Sequence, residues 1–102
     1  MSALTAPQLD QIRQLCQEFV VERLDLVGSA AAGNFSPARS DFDFMVRFAA
    51  CSPSEHYDRY FGLLESLERL LESKVDLLEE PALRNPYLIR RMNESRIQLY
   101  AA

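Results

Sequence analysis

Residues Asp41-Phe-Asp-Phe-Met-Val-Arg-Phe48 constrain this chain more than any other stretch. Phe42, Phe44, Val46 and Phe48 fall on one side; Asp41, Asp43, Met45 and Arg47 fall on the other. A period of two marks a β-strand, because successive side chains point to opposite faces. Three phenylalanines and a valine on one face need cover from water, so this strand belongs in a sheet with apolar backing. The rest of the chain has to supply the neighbouring strands and that backing.

Candidates for both are present. Thr5-Ala-Pro-Gln8 reads as a helix start: Thr5 caps, Gln8 reaches back, and Pro7 is tolerated in the first turn. Leu9, Ile12, Leu15, Phe19 and Val20 follow at helical spacing and predict a helix over 6–21. Arg23-Leu-Asp-Leu-Val27 alternates up to Gly28 and predicts a short strand. The small residues 29–33 suggest a tight turn entering a helical turn, and residues 34–40, with Pro37, read as loop. Ser52-Pro-Ser-Glu55 is a second capping box with Pro53 at the first helical position. Behind it the stripe Tyr57, Tyr60, Phe61, Leu64, Leu67 and Leu71 predicts the longest helix, over 53–72. Val75-Asp-Leu-Leu78 is a third strand, Asn85-Pro86 opens a helical piece to about Met92, and Ile97-Gln-Leu-Tyr100 closes as a strand. The order implies an α/β (α+β) domain, a small sheet backed by helices.

At 102 residues the chain reads as one domain, 1–102. Its 48% hydrophobic and 25% charged residues exclude a disordered or low-complexity chain. A core this small leaves no room for a separate substrate domain, so a large substrate needs a second chain or copy. The net charge of −4, from 15 acidic and 11 basic residues, argues against direct nucleic-acid binding through counterion release. Residues 81–102 nevertheless carry a local +3, against −7 for residues 1–80. That basic stretch suits a phosphate or an acidic partner, although a solvated helix face is the stronger explanation. No apolar run reaches the roughly 20 residues that span a bilayer, and the first residues lack signal-peptide features. Cys16 and Cys51 show no metal spacing and read as packing residues in a reducing cytoplasm.

The chemistry concentrates in Gly28-Ser29, Gly33, Ser40-Asp41-Phe42-Asp43 and Asp76. Asp41 and Asp43, two apart on a strand, point to the same side. Two like charges about 5 Å apart repel by about 3 kcal/mol at an effective dielectric of about 20. A divalent cation reverses that, and oxygen-only ligands favour a hard ion, Mg²⁺ or Mn²⁺. Asp76 lies among apolar neighbours in another strand, and an acid there needs a reason. If the two strands are adjacent, it completes a carboxylate triad suited to phosphoryl-group transfer. Gly28 allows a sharp turn after its strand, Ser29 offers a hydroxyl and an N–H at the start of a helical turn, and Gly33 allows close approach. Each piece has an ordinary structural explanation; the combination is what carries weight.

Leu26-Val-Gly-Ser-Ala-Ala-Ala-Gly33 followed by Ser40-Asp-Phe-Asp-Phe-Met-Val46 resembles the signature of the minimal nucleotidyltransferases, in the DNA polymerase beta-like superfamily. The resemblance continues through Val75-Asp-Leu77, Asn85-Pro-Tyr-Leu88 and Ile97-Gln-Leu-Tyr100, about residues 22–100. It implies a small mixed sheet of about four strands with helices on one face, and a nucleoside triphosphate substrate, usually ATP. It further implies that Gly28, Ser29, Gly33 and Ser40 bind the nucleotide, that Asp41 and Asp43 hold Mg²⁺ (or Mn²⁺), and that Asp76 holds the metal or acts as base. Short stand-alone members are often antitoxins encoded beside a HEPN ribonuclease toxin, which they silence by moving AMP onto a tyrosine or by binding.

One departure stands out: Ala30 and Ala32 occupy places where members usually carry basic residues. Three readings follow from the resemblance. The first is an adenylyl-transferring antitoxin, the second an antitoxin that acts by docking alone, and the third a catalytic subunit for small-molecule hydroxyls. Exposed apolar positions on the long helix suit a partner or a homo-oligomer.

Overall fold

A computed structural model describes residues 4–32, 42–79, 85–87, 89–90 and 96–102. In chain order these contain α1 (Ala6–Glu18), β1 (Val21–Val27), the five-residue α2 (Gly28–Ala32), β2 (Phe42–Phe48), α3 (Pro53–Leu71), β3 (Val75–Glu79) and β4 (Ile97–Ala101). The strands lie in the order β3-β2-β1-β4. β1 runs antiparallel to β2 and β4, and β2 runs parallel to β3. This is the small mixed four-stranded sheet expected, with the two long helices on one face.

Both predicted N-caps form, with the reciprocal box at Thr5–Gln8, whereas at Ser52 the Glu55 carboxylate takes the serine hydroxyl instead of the backbone N–H. The Thr5 side-chain oxygen accepts from the Gln8 N–H, and the Gln8 side chain accepts from the Thr5 N–H. Ser52 accepts from the Glu55 N–H at the start of α3, and its hydroxyl donates to the Glu55 carboxylate at 2.9 Å. Helix α1 ends earlier than its apolar spacing predicts. Phe19 caps it, Val20 turns the chain with φ 54°, and Val21 already pairs with Phe48 in the sheet. The spacing misleads because Val20 and Val21 are not on a helix face: Val20 is 43% exposed in a left-handed turn and Val21 is a core strand residue. Residues 86, 87, 89 and 90 are helical, and the Ile89 N–H donates to the Asn85 carbonyl, as Asn85-Pro86 suggests. The predicted end of that piece, Met92, lies outside the described residues.

The core fills the space between helices and sheet. Leu24, Leu26, Phe44, Val46, Val75 and Leu77 face Ile12, Leu63 and Leu67 across it. Gly62 sits mid-helix, where glycine costs about 1 kcal/mol relative to alanine. A Cβ there would lie 2.4 Å from the Phe19 ring, so the glycine is the notch in α3 that seats the end of α1. The far face of the sheet is also buried at its centre. Asp25, Val27 and Met45 are 2% exposed or less, yet they stand outside that core cluster.

Two features of the sheet edges bear on the site. Leu24 pairs with Tyr100 but Asp25 pairs with Gln98, so β4 carries an extra residue, Leu99. The Leu99 carbonyl accepts from Arg13 of α1 at 3.3 Å. At the other edge α3 caps the backbone of β3: Glu68 accepts from the Val75 N–H at 3.3 Å, and the Tyr60 hydroxyl donates to the Leu77 carbonyl at 2.7 Å. Cys16 and Cys51 are both free thiols. Burial pushes the Cys16 thiol up from 9.0 to about 12. Among the described residues no helix is long and apolar enough to cross a membrane.

Candidate active site

The parallel β2–β3 register builds the site. Phe42 pairs with Val75, Asp43 with Asp76, and Phe44 with Leu77. Side chains alternate, so the register that turns Phe44 and Leu77 toward the helices turns Asp43 and Asp76 together to the opposite face. Neighbouring strands lie about 4.8 Å apart, which places the two acids side by side.

On its other flank Asp43 pairs with Val27, the last residue of β1, and Gly28 follows. Gly28 has φ +71°, a left-handed conformation in which a side chain is strained. A Cβ built on it would lie 2.5 Å from Oδ2 of Asp43, so that carboxylate packs over the bare glycine backbone. Gly28, Asp43 and Asp76 are thus brought together as the sequence suggests, with Ser29 next in α2. Gly33, Ser40 and Asp41 lie outside the described residues.

The reason given for Asp76 needs correction. Its apolar neighbours Val75 and Leu77 point into the core, whereas Asp76 itself is exposed. The acid enclosed in a core-like strand is Asp25, which is fully buried. Arg23 pairs with it at 3.0 Å, and Arg96 donates to it through Nε. The same signal, an acid between two leucines in a strand ending at Gly28, was available in the sequence and pointed here. Ala30 is 6% exposed within the core, so a long basic side chain has no room at that position.

The surroundings are otherwise structural. Arg47 lies four residues along β2 from Asp43, about 13 Å away, and pairs with Glu22 at 4.0 Å. His56 contacts Glu79 and packs its ring at a tilt against Phe48, tying the start of α3 to the end of β3. The Tyr60 phenol is pushed above its ordinary value of 10.0, first by burial and then by the charges of Glu79 and Asp76. An open surface depression of about 680 Å³ lies beside α3 and β3, lined by Tyr57, Tyr60, Phe61, Leu77 and Leu78 among others.

Among the described residues no group of three or more His, Cys, Asp or Glu side chains forms a metal cage. Two of the three acids expected from the sequence are described, and they are neighbours. Paired carboxylates with oxygen as the only donor suit a hard divalent cation that completes its shell with phosphate and water.

Comparison with known proteins places the chain in a family. Residues 9–99 match the nucleotidyltransferase domain family. Two relatives from Methanocaldococcus jannaschii, each provisionally named a protein adenylyltransferase, are 36% identical over 84 residues and 32% identical over 83. Each match covers 81% of this chain and 81% of the relative. A crystal structure of a toxin–antitoxin pair with AMP-PNP superposes with a TM-score of 0.69 at 22% identity, covering 92% of this chain and 73% of that one. A complex of a tri-AMPylated Shewanella oneidensis HEPN toxin with its MNT antitoxin gives 0.63 at 19%, covering 94% and 71%. A further structure, provisionally described as a minimal nucleotidyltransferase, gives 0.68 at 27%, covering 89% and 88%. A paired-acid strand register beside a left-handed glycine, in a chain matched to one family over nearly its whole length, leads to one assignment: the chain belongs to the nucleotidyltransferase domain family and is an enzyme of that class.

Proposed function

We propose that this chain moves AMP from ATP onto a hydroxyl, and that the acceptor is a tyrosine of a HEPN-type ribonuclease toxin encoded beside it. The observation that carries the proposal is the in-register pair Asp43–Asp76 against Gly28. The adenylyltransferase names of two relatives and the toxin–antitoxin complexes among the structural neighbours support the choice of nucleotide and partner. The family match over residues 9–99 supports treating 1–102 as one catalytic domain.

In this reading Gly28, Ser29, Gly33 and Ser40 hold the nucleotide. The glycine turn lets the triphosphate approach the backbone without meeting a side chain. Asp41, Asp43 and Asp76 would hold Mg²⁺, or Mn²⁺, whose chemistry is to neutralise phosphate charge and orient the leaving group. Asp76 is the most exposed of the described acids at the site and faces an acceptor arriving from solvent. It takes the proton of the acceptor hydroxyl as that oxygen attacks the α-phosphorus. The bond from the α-phosphorus to the bridging oxygen breaks, and pyrophosphate leaves with the displaced electron pair. The exposed Tyr57 and Phe61 on α3 suit contact with a protein partner. The free thiols support a reducing, cytoplasmic setting.

The test is transfer from α-labelled ATP with Mg²⁺ and the neighbour-encoded protein. Label on that protein, lost with Asp43→Ala/Asp76→Ala, is expected. No transfer, or equal transfer by the double variant, overturns the proposal. The second reading, a docking-only antitoxin, is motivated by Ala32 standing where the family resemblance expects an arginine. In that case the aspartate double variant still suppresses the toxin in cells.

A further inference from the structure

We infer that Lys74, on the same strand and the same face as Asp76, is the side chain that contacts the phosphate chain of the nucleotide from the β3 side of the site. The inference rests on the proposed nucleotidyl transfer and deepens it by naming a phosphate-binding residue outside the acids and the glycine turn.

The backbone fixes where the Lys74 side chain starts. Helix α3 is capped by Glu72, which turns left-handed with φ 50°, and β3 begins at Val75. The peptide between Lys74 and Val75 is pinned from both sides. The Lys74 carbonyl accepts from the Phe42 N–H of β2 at 3.2 Å, and the Val75 N–H donates to the Glu68 carboxylate of α3 at 3.3 Å. Lys74 thus continues the pairing of β3 with β2, and its side chain follows the alternation of the strand. Val75 and Leu77 are buried in the core, whereas Lys74 and Asp76 are exposed. The lysine and the acid therefore leave the sheet on one face, about 7 Å apart along the strand.

The register sets Lys74 against the rest of the site. Asp76 pairs with Asp43, and Asp43 with Val27. β1 runs opposite to β2, so Gly28, which follows Val27, lies toward the same end of the sheet as Lys74. At the spacings of a sheet, the Lys74 Cα stands about 8 Å from that of Asp43 and about 10 Å from that of Gly28. A phosphate chain crossing from the glycine turn toward the two acids is bounded on its far side by this lysine, whose flexible four-carbon stem spans the gap. The acids and a polyphosphate are alike in charge, and a cation at the edge of their shared space offsets the repulsion.

The ammonium is uncommitted. Among the described residues it has no ion pair or hydrogen bond, Asp76 included. The described arginines on this face are held elsewhere: Arg23 and Arg96 pair with Asp25, and Arg47 with Glu22. An ammonium binds phosphate as a point charge, so it needs no fixed partner to orient it.

The test uses the purified chain and MgATP, with affinity from calorimetric titration and folding from thermal melting without nucleotide. Lys74→Gln binds MgATP about 10-fold more weakly, the size of one charge-assisted contact at an exposed site. Its melting temperature stays within about 3 °C of wild type, because the side chain has no partner to lose. Lys74→Arg, which keeps the charge, binds within about threefold of wild type. Arg69→Gln removes the same unit of charge from the last turn of α3, on the helix side of the sheet, and binds within about twofold. A Lys74→Gln affinity within twofold of wild type overturns the inference, as does an Arg69→Gln loss equal to that of Lys74→Gln, which assigns the effect to net charge. If wild type itself does not bind MgATP, the nucleotidyl-transfer reading falls and the inference falls with it.

Discussion

Gly28 and Asp43 touch through the side chain the glycine lacks: a Cβ on Gly28 would stand 2.5 Å from Oδ2 of Asp43. Two penalties therefore meet in Gly28→Ala. The left-handed φ of +71° costs about 1 kcal/mol for alanine, and the methyl displaces the carboxylate. A displacement of about 1 Å at a reacting centre costs about 100-fold in rate. The expected result is a small fall in melting temperature and a fall of about 100-fold in transfer activity, read on the same preparation.

Asp43 and Asp76 are register partners on β2 and β3, so their neutral variants test the pair directly. Mg²⁺ with ATP raises the wild-type melting temperature by several degrees, as a ligand at about 100-fold over its Kd stabilises by about 2.7 kcal/mol. Asp43→Asn and Asp76→Asn lose that rise, and EDTA abolishes it in wild type. A ligand-induced rise that persists in either variant rules out its carboxylate as a metal ligand.

Tyr60→Phe removes the donor to the Leu77 carbonyl and nothing else of volume. A lost neutral hydrogen bond of this kind costs about 0.5–1.5 kcal/mol, measurable in urea unfolding. Hydrogen exchange should quicken most in β3. The wild-type phenol, pushed above 10.0, ionises later than free tyrosine, so it keeps donating through pH 10 in an ultraviolet titration.

Cys16 gives a pH dependence with a definite sign. Its thiol is raised from 9.0 to about 12 in the folded chain, so the folded state holds a proton that the unfolded state releases. The stability it contributes is whole below pH 9 and is lost as pH climbs toward 12. Three units set an upper limit of about 4 kcal/mol. Cys16→Ala starts less stable because it leaves a small cavity, but its stability falls less between pH 9 and pH 12 than that of wild type. Equal slopes in the two proteins would contradict the burial argument.

The strands and long helices were legible because their periods are strong. The face of Phe42, Phe44 and Val46 demanded a sheet, and Ser52 and Thr5 marked helix starts that the fold uses. The end of α1 was not legible, because a valine in a left-handed turn and a valine in a strand look alike to a count of apolar residues. The site divided along a similar line. Gly28, Asp43 and Asp76 could be chosen from chemistry, yet their meeting depends on a parallel register between segments about thirty residues apart, which no local spacing encodes. Asp25 carried a local signal, an acid between two leucines with Arg23 two residues before it, but its second partner Arg96 lies 71 residues away. The contrast between a buried Asp25 and an exposed Asp76 appears only once strand order decides which face is covered.

The β2–β3 register has one further consequence. A slip of a single residue would carry Asp76 under the helices and turn Val75 and Leu77 out to water. That misaligned form would lose its acid pair and part of its apolar interior at once. Folding thus proofreads the reaction centre: molecules that zip these strands wrongly are too unstable to persist as inactive decoys.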